Sequence, residues 1–66
     1  MLIKVNGEPL ELAQPLSMQA LITHLKLNPT QVAIERNREI VPRSLHGDVL
    51  AQDGDAIEIV RFIGGG

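Results

Sequence analysis

The sequence predicts an α+β domain in which one main helix covers one face of a mixed sheet of about five strands. Three observations carry that expectation. Two short β-rich runs flank Asn6-Gly7 near the start, apolar residues then recur at helical spacing from Met18 to Leu25, and further β-rich runs follow from Val32 onward.

Leu2-Ile3-Lys4-Val5 is the first run. Asn6-Gly7 after it is a strong hairpin signal, because a two-residue type I′ turn needs φ > 0 at both central positions. The returning strand runs from Glu8 to about Ala13, with Leu10 and Leu12 on one face and Pro9, Glu11 and Ala13 on the other. Pro9 has no N–H to donate and confines this strand to a sheet edge. Ser17 is suited to cap a helix on which Met18, Leu21, Ile22 and Leu25 share a face, and Asn28-Pro29 stops it. Val32-Ala33-Ile34-Glu35 and Glu39-Ile40-Val41 form a second strand pair around Asn37-Arg38, closed by Pro42. Arg38 fits a type I′ turn poorly, which leaves the geometry of that turn open. Residues 43–50 read as irregular with room for one short helical turn, and Asp53-Gly54-Asp55 leads into a last strand from Ala56 to Ile63.

Hairpin, helix, strand pair, irregular crossing and final strand is the order of a β-grasp domain, with the first and last strands parallel at the centre of the sheet. A ferredoxin-like arrangement needs a second full helix, and residues 43–55 are too short and polar to supply it. The expected core is Ile3, Val5, Leu10, Leu12, Leu21, Ile22, Leu25, Val32, Ile34, Leu50, Ile57 and Ile59. On this reading the domain occupies residues 1–63 and residues 64–66 form a glycine tail.

At 66 residues there is room for one domain and one small core. A domain of this size buries only about 60% of the surface of its unfolded chain. The absence of cysteine excludes a disulfide framework, a thiolate nucleophile and a Cys-based zinc site, so stability rests on apolar packing. The composition fits a reducing compartment, and the cytoplasm is the expected location. No basic-then-apolar leader opens the chain, and no apolar run approaches the ~20 residues that span a bilayer, so no membrane is expected as a partner. A net charge of −2, without tyrosine or tryptophan, gives neither a phosphate-binding field nor a base-stacking platform, which argues against nucleic acid. His24 and His46 lack companion ligands and Asp53-Gly54-Asp55 lacks the further acids of an EF-hand loop, so no metal site is expected and both histidines read as solvated. Arg36, Arg38 and Arg43, interspersed with Glu35 and Glu39, read as a mixed solvated surface.

The sequence closes on Ile63-Gly64-Gly65-Gly66. Without a Cβ, glycine backbone can lie in a channel too narrow for any other residue, and a stem of this length reaches about 10 Å beyond the last anchored side chain. Taken alone, such a tail is more often an incidental flexible end. In the strand before it, Ile57 and Ile59 share one face while Glu58, Val60 and Phe62 share the other. Two positions stay open for Phe62, the single aromatic residue: outward, as an apolar docking anchor beside Val60, or turned into the core by a bulge.

In Val32-Ala33-Ile34-Glu35-Arg36-Asn37-Arg38-Glu39-Ile40-Val41-Pro42-Arg43, in Gln52-Asp53-Gly54-Asp55-Ala56-Ile57-Glu58-Ile59-Val60 and in the closing glycines, the chain resembles the ThiS sulfur carriers of thiamine thiazole synthesis, a family of ubiquitin-like β-grasp proteins. The resemblance covers the whole length. It implies a carrier and not an enzyme, whose terminal glycine is adenylated by a ThiF-type enzyme that uses ATP and Mg. A sulfur donor then converts that carboxyl to a thiocarboxylate, which a ThiG-type thiazole synthase consumes. By position Gly66 is the acceptor, with Gly64 and Gly65 as its thin stem and no cofactor bound to the carrier itself. The residues agree with that chemistry. An α-carboxyl with a reference pKa of ~3.3–3.7 is ionised at neutral pH and can attack the α-phosphate of ATP, and no cysteine is present to intercept the activated carbonyl. A carrier for molybdopterin or another sulfurated product shares the fold and tail. A ubiquitin-like modifier forms an isopeptide bond through Gly66, and a non-covalent binding module makes no use of the tail.

Overall fold

A computed structural model describes residues 1–62. Its elements are β1 (Leu2–Val5), β2 (Glu8–Glu11), α1 (Met18–His24), β3 (Val32–Arg36), β4 (Glu39–Val41) and β5 (Ala56–Arg61), with 3-10 turns at Pro29–Gln31 and Arg43–Leu45. The strands form one sheet in the order β2-β1-β5-β3-β4. β1 and β5 run parallel and all other neighbours antiparallel, which is the expected β-grasp arrangement with Pro9 on an edge strand. No helix among the described residues is long and apolar enough to cross a membrane.

Both hairpins turn through two residues with positive φ, Asn6 (51°) with Gly7 (84°) and Asn37 (52°) with Arg38 (71°). Holding an arginine in the left-handed region costs on the order of 1 kcal/mol. The fold offsets that strain through the preceding residue. Asn37 donates its backbone N–H to the Ala56 carbonyl at 2.8 Å, and its Oδ1 accepts from the Ala56 N–H at 2.9 Å. Asn6 does the same on the other side of β5. Its backbone N–H reaches the Ile57 carbonyl at 2.8 Å, its Oδ1 accepts from the Ile59 N–H at 2.8 Å, and its Nδ2 donates to the Ile59 carbonyl at 3.2 Å.

Helix α1 starts where Ser17 predicts, with Ser17 Oγ accepting from the Ala20 N–H at 3.0 Å. The N–H groups of Met18 and Gln19 donate to the carbonyls of Val49 and His46, so the crossing segment supplies acceptors that the first helical turn lacks. The helix ends earlier than Asn28-Pro29. Lys26 takes φ 62°, and the bonds from Lys26 N–H to Thr23 O and from Leu27 N–H to Ile22 O form a Schellman termination with lysine in the place glycine usually holds. Asn28 instead caps the 3-10 turn, its Oδ1 accepting from the Thr30 N–H at 2.9 Å.

Between helix and sheet the buried core comprises Ile3, Leu12, Met18, Leu21, Ile22, Val32, Ile34, Val41, Ala51, Ile57 and Ile59. Val5, Leu10 and Leu25 pack against it half-buried. Leu50 does not belong to it. A bridge to Ser17 and a bond from Ala51 N–H to Leu16 O place Ala51 inside, and Leu50, its neighbour in extended backbone, is left 44% exposed.

One ionic cluster ties the β3–β4 turn to the start of β5. The buried Asp55 carboxylate accepts from Gln52 N–H at 2.7 Å, Arg36 Nε at 2.7 Å and Asn37 Nδ2 at 3.0 Å. Arg36 is therefore a structural partner, not the solvated surface residue its neighbours in sequence suggest. Burial raises the Asp55 pKa, but the hydrogen bonds and the Arg36 charge together outweigh it and hold the carboxyl below its ordinary 3.8. A depressed carboxylate pKa stabilises the fold at pH values above the ordinary one and stops doing so as pH falls through the folded value. Asp55→Asn is expected to destabilise the chain by about 1–3 kcal/mol near pH 7. In paired urea melts the gap between parent and variant should narrow as pH falls below the ordinary 3.8 and through the lower folded value. A gap of equal size at both pH values would remove this role for the charge.

Candidate functional site

Alternation along β5 gives the sheet two unlike faces. Ile57 and Ile59 point to the helix and are buried, whereas Glu58 and Val60 point to the open side. Phe62 takes the outward alternative, at 48% exposed, beside Val60 at 55%. Its backbone N–H donates to the Gln31 carbonyl at 2.8 Å, so the rim of the sheet holds the chain one residue past β5. The expected continuation through Ile63, the expected sulfur acceptor Gly66 and the expected tail residues Gly64 and Gly65 lie outside the described residues.

The register shows what surrounds Val60. Ala33 of β3 lies opposite Val60, Glu35 opposite Glu58, and Ile40 of β4 opposite Glu35. Ile40 is the most exposed large apolar side chain among the described residues, at 73%, and its sequence context alone does not single it out. Its place opposite an outward-facing residue of β3 was the available signal. β4 ends at Val41 before Pro42, so the β3 edge at Val32 and Ala33 has no strand partner on that side. A shallow hollow of about 150 Å³ there is lined in part by Ala33, Ile40, Pro42 and Phe62. The open face thus carries an apolar strip from Ile40 through Ala33 and Val60 to Phe62, beside the end of β5.

A larger groove of about 490 Å³ opens on the helix side, lined in part by Pro9, Leu10, Leu25, Leu27 and Arg61. It explains why Leu10 and Leu25 are only half-buried.

The remaining candidates are structural. Asp53 Oδ1 accepts from the Leu2 N–H at 2.8 Å and Gly54 N–H donates to the Leu2 carbonyl at 2.8 Å, so the turn before β5 is fastened to β1. His24 is exposed as expected. His46 is not solvated: it is buried, and its Nε2–H donates to the Val41 carbonyl at 3.0 Å, an interaction that needs the chain to fold back on β4. No group of three or more potential ligands among the described residues is placed to hold a metal.

Fold and site together define a ubiquitin-like β-grasp domain with an exposed apolar sheet face. The ThiS family model matches residues 3–66. The crystal structure of a thiamine biosynthesis protein (ThiS) from Geobacter metallireducens superposes with a TM-score of 0.86 at 35% identity, covering 100% of both chains. The chain belongs to the ThiS family. Among curated relatives, the sulfur carrier protein ThiS of Bacillus subtilis is 33% identical over 66 residues, 98% of this chain and 100% of that protein. A thiazole synthase of Paramagnetospirillum magneticum is 44% identical over 66 residues, and the chain spans only 20% of its length.

Because Phe62 stands outside the core, Phe62→Ala is expected to cost about 1–2 kcal/mol, against ~3–5 for a buried phenylalanine. Chemical denaturation checks this. A loss of 3 kcal/mol or more, on the order of a core truncation, would assign Phe62 to packing.

Proposed function

We propose that this chain is a sulfur carrier of thiamine thiazole biosynthesis, with the Gly66 carboxyl as the group that is loaded. The observation that carries this reading is similarity over the full length to proteins named as ThiS, with the family match running through Gly66. The carrier has no catalytic role of its own. On a ThiF-type adenylating enzyme the Gly66 carboxylate attacks the α-phosphate of ATP, and pyrophosphate leaves with its Mg²⁺. The acyl-adenylate formed is then attacked by sulfide-level sulfur (HS⁻) from a donor, and AMP departs to leave a thiocarboxylate. A ThiG-type thiazole synthase takes up that sulfur in exchange for an oxygen from its substrate or from water, which returns the carboxylate. The relatives named thiazole synthase that match this whole chain over a fifth of their length support the last partner.

In this reading Val60 and Phe62 dock the body while Gly64 and Gly65 let the acceptor reach a narrow site. Deletion of Gly66, or its conversion to an amide, is expected to abolish ATP–pyrophosphate exchange with the adenylating enzyme and to leave the melting curve unchanged. Undiminished exchange would end the proposal. Intact mass of the loaded chain separates the outcomes further: exchange of oxygen for sulfur supports the carrier, whereas a lysine conjugate points to a protein modifier.

Gly65→Val tests the stem. A β-branched side chain does not fit where only backbone has room, so turnover should fall at least about tenfold with unchanged stability. Parental turnover by the valine variant would show that the stem need not be thin.

A further inference from the structure

Glu35 and Glu58 lie directly opposite one another across β3 and β5 on the open face. Side chains so placed have Cβ atoms about 4.5–5.5 Å apart, and like charges in that relation destabilise a sheet. The one ion pair among the described residues is that of Arg36 with Asp55, so neither carboxylate makes a direct ion pair with a described side chain. The pair is framed by apolar side chains: Ile40 beside Glu35 on β4, and Val60 with Ala33 in the adjacent row. An exposed apolar strip marks a protein partner. The carboxylates set within it fix the sign of what that partner brings. Lys4 is on this face, next to Ala56, and Arg43 lies at its rim with Ala33, Ile40 and Phe62, so with Glu11 also directed outward the carboxylates Glu11, Glu35 and Glu58 still outnumber the cations. A second copy stacked on it would bring acid to acid.

We infer that the open face seats a surface of the thiazole synthase that presents an arginine or lysine within an apolar ring, the cation lodging between Glu35 and Glu58. A guanidinium is the better match, since its planar fork donates to more than one carboxylate at once. The choice of occupant rests on the docking reading above and on the relatives named thiazole synthase, in which a segment similar to this whole chain is part of one polypeptide.

Calorimetric titration of the thiazole synthase from the same organism, at low and high salt, tests this with the parent, Glu35→Gln/Glu58→Gln and Phe62→Ala. The double glutamine variant is expected to bind at least about tenfold more weakly and to lose most of its salt dependence. Its melting temperature should equal or exceed that of the parent, because a repulsion has been removed. Phe62→Ala should weaken binding but keep the salt dependence. Parental affinity and salt dependence in the double variant would overturn the cation seat, whatever Phe62→Ala does. Parental affinity in Phe62→Ala would overturn the docking reading beneath it. A loss confined to the adenylating enzyme, or self-association of the parent that the double variant abolishes, would overturn the choice of occupant.

Discussion

The arrangement depends on β5 being hydrogen-bonded from both sides at once. Each flanking hairpin is a two-stranded unit of the kind that is marginal alone in water, and β5 makes one sheet of the two. The two turn asparagines secure it. Asn6 and Asn37 each offer a backbone N–H and a side-chain oxygen to β5, from opposite edges and near its beginning and middle. The local conformation that makes a tight hairpin therefore also aims the residue's amide at a strand distant in sequence. Asp55, gathering Arg36, Asn37 and Gln52, fixes the point where β5 begins.

That anchoring has a functional side. In a strand of period two, a slip of one residue exchanges the faces, which would bury Glu58 and Val60 and expose Ile57 and Ile59. The two bonds between Asn6 and Ile59 forbid the slip. They hold the core in place and keep the apolar strip on the open side in a single act.

Much of this was legible because local signals and the fold agree. Asn6-Gly7, the Ser17 cap, Pro9 at an edge and the alternation of β5 each declare themselves in sequence. Where the reading missed, a tertiary contact carried the information. Lys26 ends the helix in a conformation that glycine usually signals, so the stop was placed later, at Asn28-Pro29. Arg38 accepts a left-handed conformation that its own chemistry disfavours, because Asn37 is bonded to β5. The segment after Pro42 has no period from which to assign inside and outside, and so Leu50 was expected in a core that Ala51 and Val41 help to fill. The burial of His46 and the pairing of Arg36 with Asp55 likewise depend on chain crossings that no short pattern encodes. Of the candidate site, the outward face of Val60 followed from alternation, Phe62 stayed open between outward and inward until its exposure was seen, and Ile40 required knowing which face its neighbour on β3 presents.

The parallel pairing of β1 with β5 also decides how the domain bears a load. A force that draws the start of β1 away from the end of β5 acts along both strands. It slides one past the other and does not peel them apart. The bonds from Lys4 N–H to Asp55 O, from Asn6 N–H to Ile57 O and from Asn6 to Ile59 then share the tension and must fail together. Forced opening is governed by the barrier to that concerted rupture and not by equilibrium stability. A partner that grips the C-terminal end and pulls is therefore opposed by the strongest direction of a small and otherwise modest fold.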